Sequence, residues 1–149
     1  MRLLVLFLLI ACISCKSSQK SKVNYESSVI SMEKTACYGK CPVYTITIYG
    51  TGKAEYVGVK NVKKAGKYEK QLSEEECLKL FKAFDASNFS DFHSEYDSGI
   101  TDVPTTMISF LHRGYNKTIK DRVNAPLELK NLEAMVAAIG ESEGWTKVE

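Results

Sequence analysis

The run Val43-Tyr44-Thr45-Ile46-Thr47-Ile48-Tyr49 limits the possible folds more than any other stretch of this chain. Each of its residues is β-branched or aromatic, the types that fit a pleated surface. Successive side chains of a strand point to opposite faces, so Tyr44, Ile46 and Ile48 share one face, expected to be the buried one. A sheet with one apolar side has to be covered by a second layer.

The flanking sequence supplies partners for both layers. Residues 29–33 alternate weakly and read as a strand. Gly50-Thr51-Gly52 marks a tight turn into a strand over 53–59, and Gly66 opens a fourth over 67–72. Ser73-Glu74-Glu75-Glu76 fits a capping box, in which Ser73 accepts from the N3 amide while Glu76 reaches back to the cap. Acidic residues in that first turn also suit the helix dipole. Cys77, Leu80, Phe81 and Phe84 then recur at i, i+3, i+4 and i+7, one apolar helix face ending near Ala86. Residues 105–111 and 116–121 read as a hairpin turning at Arg113-Gly114. Pro126 is expected to begin a last helix, where its missing N–H costs nothing. Leu129, Leu132, Val136 and Ile139 form its inner stripe, and Gly140 is expected to stop it. Four strands, a helix, two strands and a helix predict an α+β two-layer sandwich, a mainly antiparallel sheet with two helices on one face. Strand order does not follow from the sequence.

The chain opens Met1-Arg2, runs apolar over residues 3–13, and reaches Ser14-Cys15-Lys16. A positive start, a short apolar segment and a small residue before the break mark a secretory signal peptide. The apolar run is roughly half of the ~20 residues needed to cross a bilayer. The cysteine at the break makes the segment resemble a bacterial lipoprotein signal, in which that cysteine is acylated and becomes the mature N-terminus. Attachment would then rest on lipid, at about 0.8 kcal/mol per buried methylene, with two or more chains holding stably. Two cysteines compete for the lipid. Leu9-Ile10-Ala11-Cys12 reads better against the usual lipobox, whereas Cys15 leaves a more workable apolar length and is followed at once by polar residues. Cys15 is the preferred lipidation site. An ordinary cleaved signal and a buried N-terminal strand are the other readings.

The expected organisation is a lipoprotein signal peptide over 1–14, a flexible tether over 15–28 and a single domain over 29–149. The stretch 16–28 is rich in Ser and Lys, a composition unable to bury a core. A net charge of +2 gives no argument for nucleic acid as a partner.

Two internal segments are candidates for chemistry. In Cys37-Tyr38-Gly39-Lys40-Cys41-Pro42, an oxidising compartment makes a disulfide between Cys37 and Cys41 the expected state. Residues four apart in a strand lie about 13 Å from each other, while a disulfide wants α-carbons about 4.4–6.8 Å apart. The chain must therefore fold back, and Gly39 allows that. Redox catalysis usually shows two residues between the cysteines at a helix start, not three before a proline and a strand. An iron–sulfur cluster needs four ligands, and zinc would need His93 or His112 to join. Cys77, on the apolar helix face, reads as a buried thiol.

The second candidate is the stretch 91–104, which holds four carboxylates, His93 and two aromatics. Glu95, Asp97 and Asp102 form a possible binding loop, with calcium or paired acid–base carboxylates as the sharper readings. EF-hand spacing is absent, and Asp97-Ser98-Gly99 is ordinary turn chemistry. No catalytic residue, metal ligand or cofactor is assigned. His112 flanks the hairpin turn and is expected to be solvated. Tyr38, Tyr44, Tyr49, Tyr56 and Tyr68 fall in or beside the first sheet, and alternate ones are expected on the face without helices.

The run C-Y-G-K-C-P-V-Y-T-I-T-I-Y-G-T-G, the later T-D-V-P at residues 101–104, and P-L-E-L-K-N-L near the end resemble an uncharacterised domain-of-unknown-function family (6438) of bacterial secreted proteins and lipoproteins. The resemblance covers about residues 30–139 and implies location rather than chemistry. The function expected is a lipid-anchored bacterial envelope protein, a non-enzymatic binding or structural module, more an interaction domain than an enzyme. It would meet the membrane through its N-terminal lipid and contact an envelope protein or glycan partner through the open sheet face or the cysteine loop. Its place is extracytoplasmic, on a periplasmic face or the cell surface. The alternative is an extracytoplasmic enzyme, a hydrolase using the acidic loop or a thiol oxidoreductase using Cys37 and Cys41. A carrier of a soluble ligand or metal is the third reading.

Overall fold

The structure, a computed structural model, describes residues 23–148. The leader, Cys12, Cys15 and the first part of the expected tether lie outside the described residues. In chain order the elements are β1 (Val29–Lys34), β2 (Val43–Tyr49), β3 (Lys53–Lys60), β4 (Gly66–Gln71), α1 (Glu74–Ala86), a 3-10 turn (Phe89–Asp91), β5 (Glu95–Tyr96), β6 (Thr106–His112), β7 (Tyr115–Asp121), α2 (Leu127–Glu141) and β8 (Thr146–Lys147). The strands form one sheet in the order β5-β7-β6-β1-β2-β3-β4-β8. Every pairing is antiparallel except that of the short β5 with β7. The architecture is the expected α+β sandwich.

β1 lies at the centre, with β2 on one side and β6 on the other. β1 to β4 form a meander. α1 then carries the chain from the β4 edge back across the sheet, and α2 makes the return journey from β7 to β8.

The strand registers arrange the helix-facing side chains in three rows. The middle row runs Ile119–Ile108–Met32–Ile46–Tyr56–Tyr68, and its first four members are fully buried. One flanking row runs Phe110–Ile30–Ile48–Ala54 and lies under α1, whose Phe81 and Phe84 rings meet Phe110 at 6.3 and 5.3 Å. The third row lies under α2. Each buried residue contributes about 1.5–3 kcal/mol of transfer free energy if it is a large aliphatic or aromatic side chain.

The capping box is present in full. Ser73 Oγ accepts from the Glu76 amide at 3.2 Å, and Glu76 Oε2 accepts from the Ser73 amide at 2.9 Å. The buried face of α1 consists of Cys77, Leu80, Phe81 and Phe84, as the spacing predicts. Arg113 and Gly114 both take positive φ in the β6–β7 turn, the geometry that matches strand twist in a two-residue hairpin.

Several expectations need correction. Pro126 is the N-cap of α2 rather than its first helical residue. Gly140 does not stop α2. It lies inside the helix and is buried, because there the backbone comes close to β2 and β3. A Cβ at Gly140 would sit 3.5 Å from Ile46 Cδ1 and 3.6 Å from Tyr56. Packing also begins before residue 29, since Tyr25 and Ser28 are buried. The Tyr25 ring lies 5.5 Å from Phe81 and 5.2 Å from His112. The open face is not a tyrosine surface. Tyr44, Tyr56 and Tyr68 share the helix side and Tyr38 lies in the cysteine loop. Only Tyr49 of the five points to the open face, where its hydroxyl donates to Glu55 at 3.0 Å. Hydroxyls and charges make up its surroundings, including Ser31 and Ser109 with Oγ atoms 2.6 Å apart and Lys53 between Glu55 and Glu69.

The contacts around Gly140 are ordinary van der Waals distances for a methyl group. Alanine there should therefore stabilise the protein by about 0.5–1 kcal/mol through helix propensity and a less flexible unfolded chain. Leucine should destabilise it by about 1–3 kcal/mol through overpacking. Urea denaturation of the two variants checks both signs.

Candidate functional site

The third row breaks the apolar pattern. Reading across the registers, it runs Asp121–Thr106–Lys34–Tyr44–Gly58. These positions have the same inward parity as Ile119, Ile108, Met32, Ile46 and Tyr56, yet three of them carry polar or charged groups and one a phenol. α2 lies along this row. Its Lys130 and Glu133 sit over the β7 end, and its Gly140 over β2 and β3.

At the β7 end, Asp121 and Glu133 are both buried. The Lys130 ammonium forms an ion pair with Asp121 Oδ2 and lies 3.3 Å from Glu133 Oε2. Asp121 Oδ1 and Glu133 Oε1 are buried without a hydrogen-bond partner among the described residues. One ammonium cannot balance two buried carboxylates. Burial, followed by the hydrogen bond and charge of Asp121, therefore pushes Glu133 up to about 7, while Lys130 pulls the other way. Burial alone would lower the Lys130 ammonium, but Asp121 and Glu133 outweigh it and leave its pKa raised. Protonated Glu133 can donate to Asp121, so the cluster holds this proton to a higher pH than a free carboxyl group would. No sequence motif pointed to it. The available signal was Glu133 at the i+4 position from Leu129, on the apolar side of α2, and Asp121 two residues beyond Ile119.

At the β3 end of the row a cleft of about 450 Å³ opens between α2 and the β3–β4 turn. Tyr44 and Tyr56 form its floor, their rings 5.2 Å apart and stacked. Lys34, Lys63, Lys64 and Glu141 bring charge to its walls, and Lys64 Nζ lies 5.7 Å from the centre of the Tyr56 ring. The turn folds back tightly: a Cβ at Gly58 would lie 1.8 Å from the Lys64 carbonyl oxygen. Burial first, and then nearby Tyr56, Glu141 and Glu133, push the Tyr44 phenol up to about 12. Burial and the Glu141 carboxylate raise Tyr56 as well. Both hydroxyls stay neutral under physiological conditions.

The cysteine loop borders this cleft through Pro42. Cys37 and Cys41 form a disulfide with α-carbons 5.7 Å apart. The loop is held on both sides. Asn61 Nδ2 donates to the Cys41 carbonyl at 3.1 Å. The Thr35 amide donates to the Thr105 carbonyl at 3.0 Å, and the Thr105 amide to Thr35 Oγ1 at 2.9 Å. The Tyr38 amide reaches the Asp102 carbonyl at 3.5 Å, while the Tyr38 side chain is 92% exposed. The segments C-Y-G-K-C-P and T-D-V-P, far apart in sequence, thus meet at one end of the sheet.

The possible binding loop does not gather its carboxylates. Glu95 lies in β5 and pairs with Lys120 at 2.8 Å, while Asp97 pairs with Arg122 at 2.8 Å. Asp102 takes a φ of 67° and accepts from Thr101 Oγ1 at 3.2 Å. Arg122, and then the Gly99 amide, hold the Asp97 carboxyl below its ordinary value. Among the described residues no group of three or more His, Cys, Asp or Glu side chains is placed to hold a metal ion. His93 stands edge-on to Tyr96, and Cys77 is a buried thiol whose pKa is raised by burial.

His112 is buried rather than solvated. Its Nδ1 lies 2.7 Å from Ser28 Oγ, its Nε2 3.8 Å from Asp85 Oδ1, and its ring stacks on Phe110 at 5.5 Å. Burial lowers its pKa, partly opposed by Asp85. Serine, histidine and aspartate therefore meet here, but Ser28 is only 1% exposed and the Tyr25 ring packs against the imidazole. The cluster fastens the start of the domain to β6 and α1.

A family profile described as a domain of unknown function (DUF6438) matches residues 28–140. No curated protein matches the chain.

The Glu133 shift fixes the sign of a pH effect. Below the ordinary value of 4.5 both folded and unfolded chains hold the proton, and between there and about 7 only the folded chain does. Stability is therefore lost as pH rises through that window. Glu133→Gln should abolish this loss, a difference on the order of 2–3 kcal/mol between about pH 5 and about pH 8. Denaturant unfolding at the two pH values tests it. Separately, Cys37→Ser with Cys41→Ser should lower stability by about 2 kcal/mol, the chain-entropy value for so small a ring.

Proposed function

The chain belongs to the DUF6438 family, a domain of unknown function, and from that premise we propose that it is a lipid-anchored bacterial envelope protein acting as a non-enzymatic binding module outside the cytoplasm. The Cys37–Cys41 bridge is the observation that carries this reading. A disulfide closed within a five-residue loop persists in oxidising compartments and is rare in the cytosol. The start of the chain agrees with it: a positive residue, a short apolar run, and Cys15 at the boundary to polar sequence. Acylation at Cys15 would supply the membrane attachment.

The reading as a binding module draws on the polar end of the sheet. There a charged cleft, an exposed Tyr38 and a loop fastened on both sides lie side by side. Sites of this kind, where a few polar groups converge over aromatic side chains, suit recognition of a small ligand or a chain end. The acidic loop that a hydrolase would use has its Glu95 and Asp97 carboxylates engaged by Lys120 and Arg122.

Metabolic labelling with an alkyne palmitate, followed by membrane fractionation, tests the anchor. The wild-type protein should be labelled and sediment with membranes, Cys15→Ala should lose both properties, and Cys12→Ala should keep them. Labelling lost only in Cys12→Ala would move the lipid to Cys12. An unlabelled wild-type protein recovered from the soluble fraction would overturn the anchor.

A further inference from the structure

We propose that the cleft between the second half of α2 and the β3–β4 turn binds an acidic saccharide, with the anionic group against the lysines and the sugar hydroxyls over the tyrosine floor. The proposal deepens the binding-module reading and rests on it, but it does not depend on which cysteine is acylated.

Charge gives the first argument. Lys34, Lys63 and Lys64 line the cleft with Glu141 as the single acid, and none of the three lysines forms an ion pair with a described residue. An excess of cations around a recess attracts an anion and raises its local concentration.

The lining then separates an acidic sugar from a bare anion. Glu141 can accept hydrogen bonds from the hydroxyls of a sugar, an interaction that a bare anion such as acetate does not offer. The phenol groups of Tyr44 and Tyr56 have no hydrogen-bond partner among the described residues. Neutral phenols can both donate to and accept from a sugar hydroxyl. Rings that combine an apolar body with a polar tip suit a ligand whose surface is likewise mixed. Size agrees: about 450 Å³ falls within the range of small-molecule sites and exceeds the need of a lone anion.

Rigidity is the third argument. Asn61, at the start of the lysine-bearing turn, is tied to the Cys41 carbonyl, and the Cys37–Cys41 bridge fixes the loop to which that carbonyl belongs. A site whose walls are held by such second contacts loses less conformational freedom on binding.

The protein carries its own reporter. Its one tryptophan, Trp145, lies 5.7 Å from the Tyr56 ring. Full-length protein, held in a polyoxyethylene detergent that contains no sugar, is titrated with glucuronic acid while Trp145 fluorescence is followed. Glucose and inorganic phosphate serve as separate probes. Saturable quenching or enhancement by glucuronic acid is expected, with half-saturation in the roughly millimolar range. Glucose and phosphate should each be weaker by about tenfold or more, and Lys63→Ala with Lys64→Ala should weaken glucuronic acid by about tenfold, a change of about 1.4 kcal/mol. Both lysines belong to a surface turn, and circular dichroism of that variant checks that the fold is kept. Phosphate binding as tightly as glucuronic acid would overturn the saccharide in favour of a simple anion. Equal binding of glucose would overturn the role of charge. A flat glucuronic acid titration of protein that still fractionates with membranes would overturn the cleft and leave the anchor standing.

Discussion

The sheet is organised by one line of contacts, Ile119–Ile108–Met32–Ile46–Tyr56, which crosses five strands through the centre of the core. β1 holds the middle of that line although it has only six residues. Because strand side chains alternate, a slip of one residue in β1 would exchange Met32 for Ser31 or Glu33. Register is thus fixed by the burial of a few side chains rather than by the number of hydrogen bonds. The helices lie over the two rows that flank this line, and their opposed crossings follow from the strand order, since each must bring the chain from one side of the sheet to the other.

Next to that apolar line lies a polar one, and the contrast explains where chemistry is concentrated. A buried ion cluster is weak support for stability, because desolvation offsets most of its attraction. Asp121, Lys130 and Glu133 are not needed to fill space that leucine or methionine would fill. Departures from local design rules tend to mark functional or strained places. Here the departures share one end of the sheet with the cysteine loop and the lysine-lined cleft, so one region carries the unusual burial, the unusual charge and the bridged loop.

Much of the fold was legible because its signals are local. β2 carries period-two alternation, α1 carries a capping box and an i, i+3, i+4, i+7 stripe, and Arg113-Gly114 suits a two-residue turn. Each of these depends on residues within a few positions of one another. Strand order was not legible, since nothing local tells the chain that leaves α1 to pair β6 with β1. The burial of His112 is hidden for the same reason: its neighbours in sequence form a turn, whereas Ser28, Asp85 and Tyr25 arrive from elsewhere. The side taken by the tyrosines is not local either, because Tyr56 and Tyr68 face Tyr44's side only through the registers of β2 with β3 and of β3 with β4. The polar row was readable in part. Lys34 follows Met32 by two, and Asp121 follows Ile119 by two, which places both on the inward side of their strands. The pairing that lines them up with Thr106 and Tyr44 was not.

The placement of Tyr25 has a bearing on orientation. It is seated near α1 and the β6–β7 turn, against Phe81 and His112, whereas Lys34 ends β1, Pro42 precedes β2 and Lys64 lies in the β3–β4 turn, all at the opposite end of the sheet. The polypeptide therefore joins the domain at one pole and presents its recess at the other. An anchor on Cys15 of the kind proposed above would reach the domain from the Tyr25 pole, and the lysine-rimmed mouth would lie at the opposite one.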